Sequence, residues 1–186
     1  MKKKKKPINP ATSKFTVLRQ VCNLIPAHLV PKIAREHDSE IHARTFSHWS
    51  HVVSLLHAQL SHSLGLNDVC DALQLHSGPL SAIRGATPPS RNGLSHANKT
   101  RPAEMAESLF WEVMKHLGTI APQFIKGKSA RRLHRFNCAI HAMDSTTIEL
   151  VANCMDWAQH RRRKAAAKCH LRLNLQSLLP QCVIID

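Results

Sequence analysis

The sequence predicts an α+β protein in which helices come first and strands follow. Two observations carry this: apolar residues recur at helical spacing from Phe15 to Leu117, and after Gly127 short alternating apolar runs replace them. At 186 residues and 43% hydrophobic content, the chain can bury one good-sized core or two small ones. No internal repeat is visible.

The elements follow in order. Residues 1–14 read as a basic tail. Phe15, Val17, Leu18, Val21, Cys22 and Leu24 form the first apolar stripe, and Pro26 and Pro31 bracket a short second element that leads into Lys32–His37. A stronger helix spans about Ser47–Leu64, with Trp49, Val52, Val53, Leu56 and Leu60 on one side and Gly65 as its stop. Asn67 or Asp68 is placed to cap a helix over Val69–Leu75, ending at Ser77-Gly78-Pro79. Residues 85–102 read as loop by composition. Pro102, Glu104 and Glu107 then open a helix to about Leu117. Beyond it, Arg135–Asp144 reads as a strand ending on a carboxylate, with Lys168–Leu175 and Gln181–Asp186 as two more strand-like runs. Two regions result, 15–125 helical and 126–186 strand-bearing.

Charge narrows the function classes. Twenty-six Lys plus Arg against 12 Asp plus Glu leave a net charge of +14. Such an excess repels itself in a compact fold and favours a polyanion, through release of condensed counterions. Nucleic acid is the first partner class. An anionic membrane surface ranks second as a polyanion, but no apolar run approaches the roughly 20 residues that span a bilayer, and no membrane partner is expected. The Lys2–Lys6 run lacks the apolar stretch of a signal peptide, and the tail is free to touch phosphates or stay in solvent. The six cysteines lie far apart with no CxxC pair, which predicts reduced, mostly buried thiols in the cytoplasm. The pairs His48/His51 and His57/His62 lack a companion Cys pair at finger spacing and read as helix-face or surface residues.

Three segments are candidates for chemistry. Phosphodiester cleavage commonly uses two divalent metals, which need acidic side chains converging from separate elements. Asp144, at the predicted strand end before Ser145-Thr146-Thr147, suits that role, although a strand-terminal Asp also serves as a turn former. Between Lys126 and Arg172 there are eleven basic residues and three acidic ones, and Arg161, Arg162, Arg163, Lys164 and Lys168 are candidates for tracking phosphates. The segment Ser90–Arg101 offers Arg91, Asn92, His96, Lys99 and Arg101 for backbone or base-edge contacts, and composition equally fits a plain connecting loop. Trp49 and Trp111 are expected to pack, whereas Trp157 has a polar setting open to base stacking.

Three stretches resemble the IS-four family of bacterial insertion-sequence transposases: Phe15–Gln20, Ser90–Lys99, and Ala142-Met143-Asp144-Ser145-Thr146-Thr147-Ile148 followed by His160–Lys168. The resemblance implies a helical DNA-binding region followed by the first three strands of a ribonuclease-H-like domain, incomplete here. It implies an Asp-Asp-Glu triad working with magnesium, in which Asp144 matches the first catalytic, metal-binding Asp. Asp186 lies at the end of the third strand-like run, where the family has no catalytic Asp, and receives no role. Without the second Asp and the Glu the chain is expected to be catalytically incomplete and to hold Mg2+ poorly, since one carboxylate cannot position two metals. The implied partners are double-stranded DNA at transposon ends and a second copy, either a homodimer or an intact transposase, at the bacterial nucleoid. The alternative function is a non-enzymatic DNA-binding regulator or inhibitor of transposition. RNA binding is the weaker class, because aromatics for stacking make up only 4% of residues and Tyr is absent.

Overall fold

The computed structural model describes residues 14–39, 46–63, 65–122, 138, 140–150, 159–160, 164–177 and 179–185. The chain is α+β and divides into two compact units, Met1–Lys115 and His116–Asp186. The helices are α1 (Lys14–Asn23), α2 (Leu29–Glu36), α3 (His48–Ser61), α4 (Leu66–Leu75), α5 (Ser77–Ser81), α6 (Arg91–Thr100) and α7 (Glu104–Ile120). The strands are β1 (His141–Leu150), β2 (Gln159–His160), β3 (Lys164–Asn174) and β4 (Leu179–Ile185).

The first unit is built around one apolar cluster. Leu18 and Cys22 of α1, Val53 of α3, Val69, Cys70 and Leu73 of α4, and Leu94 and Ala97 of α6 are all buried in it. Burial pushes the Cys22 thiol up to about 11, against a smaller opposing pull from the Arg84 charge, so it stays protonated and acts as a small apolar side chain. Helix α3 begins where predicted, because Ser47 accepts the Ser50 backbone N–H at 3.0 Å and so satisfies one orphan donor. Its end differs from the expected Gly65 stop. His62 adopts the left-handed conformation at φ 53°, a position that ends helices, and Gly65 instead opens α4 in place of Asn67 or Asp68. Ser77-Gly78-Pro79 likewise does not terminate the helical region but starts the short α5.

Two contacts fix the approach to α6. Ser50, buried in α3, accepts the Thr87 backbone N–H at 3.0 Å, with its hydroxyl 3.1 Å from that of Thr87. Trp49 donates its indole N–H to Ile83 O at 2.9 Å, and the Arg84 guanidinium lies 4.4 Å over the Trp49 ring. Arg84 also donates to Ile25 O at 2.7 Å and to Cys22 O, tying it to the chain at and just past the end of α1.

In the second unit β1 pairs antiparallel with β3 along its whole length, from His141↔Asn174 to Leu150↔Ala165. On the other side of β3, β2 pairs at one end and β4 at the other. Among the described residues β1 pairs with no strand other than β3. Asn174 accepts the N–H groups of Gln176 and Ser177 at 2.8 and 3.1 Å, which makes the tight turn from β3 into β4. The register shifts between Arg172↔Cys182 and Leu173↔Pro180, leaving Gln181 as an extra residue where Pro180 has no N–H to give.

This sheet corrects one sequence expectation. Asp144 is not a strand terminus; it is the fourth residue of β1 and pairs with Leu171. The strand runs on because Thr146, Thr147 and Ile148 are β-branched and match a ten-residue partner in β3. Of the strand start expected at Arg135, residues 135–137 lie outside the described residues.

Candidate nucleic-acid interface

The segment read as a loop is largely helix α6. Ser90, extended at φ −76° and ψ 157°, caps it by accepting the Gly93 N–H at 3.0 Å. A Cβ on Gly93 would meet that capping oxygen at 2.9 Å, so the cap and any larger residue at 93 compete for one space. Leu94 and Ala97 are the buried side of the helix. With those two fixed inward, the i, i+3, i+4, i+7 spacing puts Asn92, Ser95, His96 and Lys99 together on one exposed face. No residue of α6 is acidic.

The remaining predicted contacts in this segment are otherwise engaged. Arg91 makes a two-pronged ion pair with Asp71 of α4 at 2.9 and 3.1 Å. Both partners are well over half exposed, so the pair contributes little to stability. Arg101 turns back onto the fold: it donates to Phe46 O and, at 3.4 Å, to Ser47 O, and stacks 5.4 Å from the Phe46 ring. Asn98 accepts from the His51 ring at 2.7 Å. Burial, and then the Arg101 charge, hold His51 below its ordinary value despite that hydrogen bond, so the ring is neutral and donates. Of the five residues singled out here, Asn92, His96 and Lys99 share the open face. Ser95 joins them and was missed, because its place is visible only once the segment is known to be helical.

A cavity of ≈ 170 Å³ lies beside α6, between Phe46, His96, Arg101 and the Asp38 carboxylate. It is smaller than the ~300–1,000 Å³ typical of small-molecule sites.

The sheet separates the other candidates. Antiparallel partners share a face, so Asp144 lies with Ala142, Leu171 and Leu173, while Lys168 lies on the opposite face with Thr147. Asp144 is exposed and accepts the Ser145 backbone N–H at 2.8 Å. Among the described residues no three His, Cys, Asp or Glu gather in a way that could hold a metal ion. A lone carboxylate among apolar neighbours does not fit magnesium, which needs a near-octahedral set of oxygens. Arg161, Arg162 and Arg163 lie outside the described residues, as does Trp157, and Lys164 opens β3 opposite His160. No helix among the described residues is long and apolar enough to cross a membrane.

In comparison with known proteins, residues 13–83 match a family described as a domain of unknown function (DUF4372). That stretch covers α1 to α5 and stops short of α6. No curated protein and no solved structure matches the chain.

Proposed function

We propose that the protein binds double-stranded DNA through the exposed face of α6 and serves as a DNA-binding component in transposition. The observation that carries this is the grouping of Asn92, Ser95, His96 and Lys99 on one open helix face without a carboxylate, in a chain of net charge +14. A helix of about this width enters the major groove, where Asn and His reach base edges and Lys reaches phosphate. The matched domain occurs in transposase-like proteins, which supports the transposition setting. The antiparallel path β1–β3–β4, with Asp144 on its first strand, supports reading the second unit as the start of a ribonuclease-H-like sheet.

The test is duplex binding by fluorescence anisotropy across a salt series. Lys99→Ala is expected to weaken binding evenly on all sequences and to reduce the salt slope by ~0.9. Asn92→Ala and His96→Ala are expected to cost about 1–3 kcal/mol each on a preferred sequence and far less on random duplex. A chain that binds no duplex at about 50 mM salt, where phosphate contacts are strongest, would sink the proposal.

We take binding without strand cleavage as the preferred reading, since a single carboxylate at Asp144 cannot by itself position two metal ions. A magnesium-dependent nicking assay should stay at background, with Asp144→Ala leaving duplex affinity unchanged. Nicking that is abolished by Asp144→Ala would reverse that preference.

A further inference from the structure

The face of the sheet opposite Asp144 carries a different kind of surface. The register places Lys168 against Thr147, His170 against Ser145 and Arg172 against Met143. On β4 the partner of Arg172 is Cys182. Among the described residues no carboxylate stands directly across from either cation. Lys168 and Arg172 are exposed, as are Ser145 and Thr147 beside them. Neither cation makes an ion pair with a described residue, whereas Lys32 and Arg91 in the first unit each do. Glu149 sits two residues beyond Thr147 on β1, at the register of Ala166.

With no described carboxylate directly across from them, Lys168 and Arg172 put two like charges on one face of a chain whose net charge is +14. Alternation keeps both cations on one face, and four residues of strand separate them by about 13 Å. That distance is too long for them to share one phosphate, and it spans several phosphates of a duplex strand, which follow every ~3.4 Å along the axis. Hydroxyl donors beside the cations match the mixed cation and Ser/Thr donor sets that usually hold phosphate oxygens.

We infer that this sheet face is a second DNA-backbone surface, on which Lys168 and Arg172 each hold a separate phosphate, with Ser145 and Thr147 as neighbouring donors. The inference rests on the DNA-binding reading proposed above and assigns it a second location, in the unit His116–Asp186. The contact is independent of base sequence. It also separates the cations from Asp144, which faces the other way.

The test is a salt series on the full chain with generic duplex DNA. The double variant Lys168→Ala/Arg172→Ala is expected to lower the salt slope by ~1.8, at ~0.9 for each phosphate no longer neutralised, and equally on every duplex. The exchange Lys168→Arg/Arg172→Lys is expected to keep the wild-type slope, showing that the sheet tolerates change at these positions. A double variant with the wild-type slope, beside a Lys99→Ala variant that still shifts it, overturns this surface and leaves α6 standing. Loss of binding to polyglutamate as large as the loss on DNA overturns the DNA assignment in favour of an acidic protein partner. A wild-type chain that binds no duplex removes both readings together.

Discussion

Leu94→Ala is expected to destabilise the first unit by about 3 kcal/mol and to weaken duplex binding at the same time. Leu94 is 1% exposed and is among the largest fully buried side chains. It belongs to the same apolar cluster as Val69, Cys70 and Leu73 of α4. Truncation removes most of its transfer energy and leaves a cavity that a close-packed interior relaxes into only partly. Apart from Ala97, no other side chain of α6 is buried, so the helix has little else to hold it at its proper height and rotation. Urea unfolding followed by circular dichroism measures the first effect, and anisotropy on duplex DNA measures the second. Leu94→Met, which keeps the volume, should lose less than ~1.5 kcal/mol and retain binding. A Leu94→Ala protein with wild-type stability would show that α6 is not anchored by its buried side.

Acid should destabilise the same unit at the start of α3. His48, 8% exposed, lies 2.8 Å from the Ser39 hydroxyl. Burial, and then the nearby charges of Arg101 and His51, lower its pKa from 6.5 to about 4. The folded protein thus keeps the ring neutral while the unfolded chain protonates it. Stability from this group is complete above 6.5 and is lost as pH falls from there toward about 4. Each tenfold difference in proton affinity between the folded and unfolded chain is worth ~1.4 kcal/mol. A loss of roughly 2 kcal/mol is therefore expected across that window, allowing for partial access of solvent to the ring. His51 is lowered too and works in the same direction. The measurement is unfolding free energy at stepped pH for the wild type and for His48→Asn. The variant should show a flatter profile below 6.5, and identical profiles would remove His48 as the source.

Two of the places where the sequence misleads share a physical origin. Helix α6 is hidden because Ser, Asn, Gly and Thr favour turns when considered one at a time. What makes the segment helical is a cap at Ser90 and tertiary burial of Leu94 and Ala97, and neither is a local propensity. Asp144 looks like a strand end because Asp disfavours strand interiors, yet the partner register with β3 carries the pairing past it. Helix α3, by contrast, is plain in the spacing of Trp49, Val53 and Leu56, and its Ser47 cap agrees with that spacing. Charge is legible in number but not in direction. Nothing local distinguishes Lys99, which faces solvent, from Arg101, which turns inward onto the Phe46 and Ser47 carbonyls.

The position of Asp144 matters for more than metal binding. The side of β1 turned away from β3 meets no described neighbour, and a strand side left open in that way offers a row of amide groups to any extended chain, including another copy of itself. Threonines at 146 and 147 make that row well suited to templated stacking. A fixed negative charge in the middle of it, drawn in against the Ser145 amide, makes two such rims repel where they would otherwise zip together. The charge at Asp144 thus bears on contact between copies of the chain as well as on metal binding.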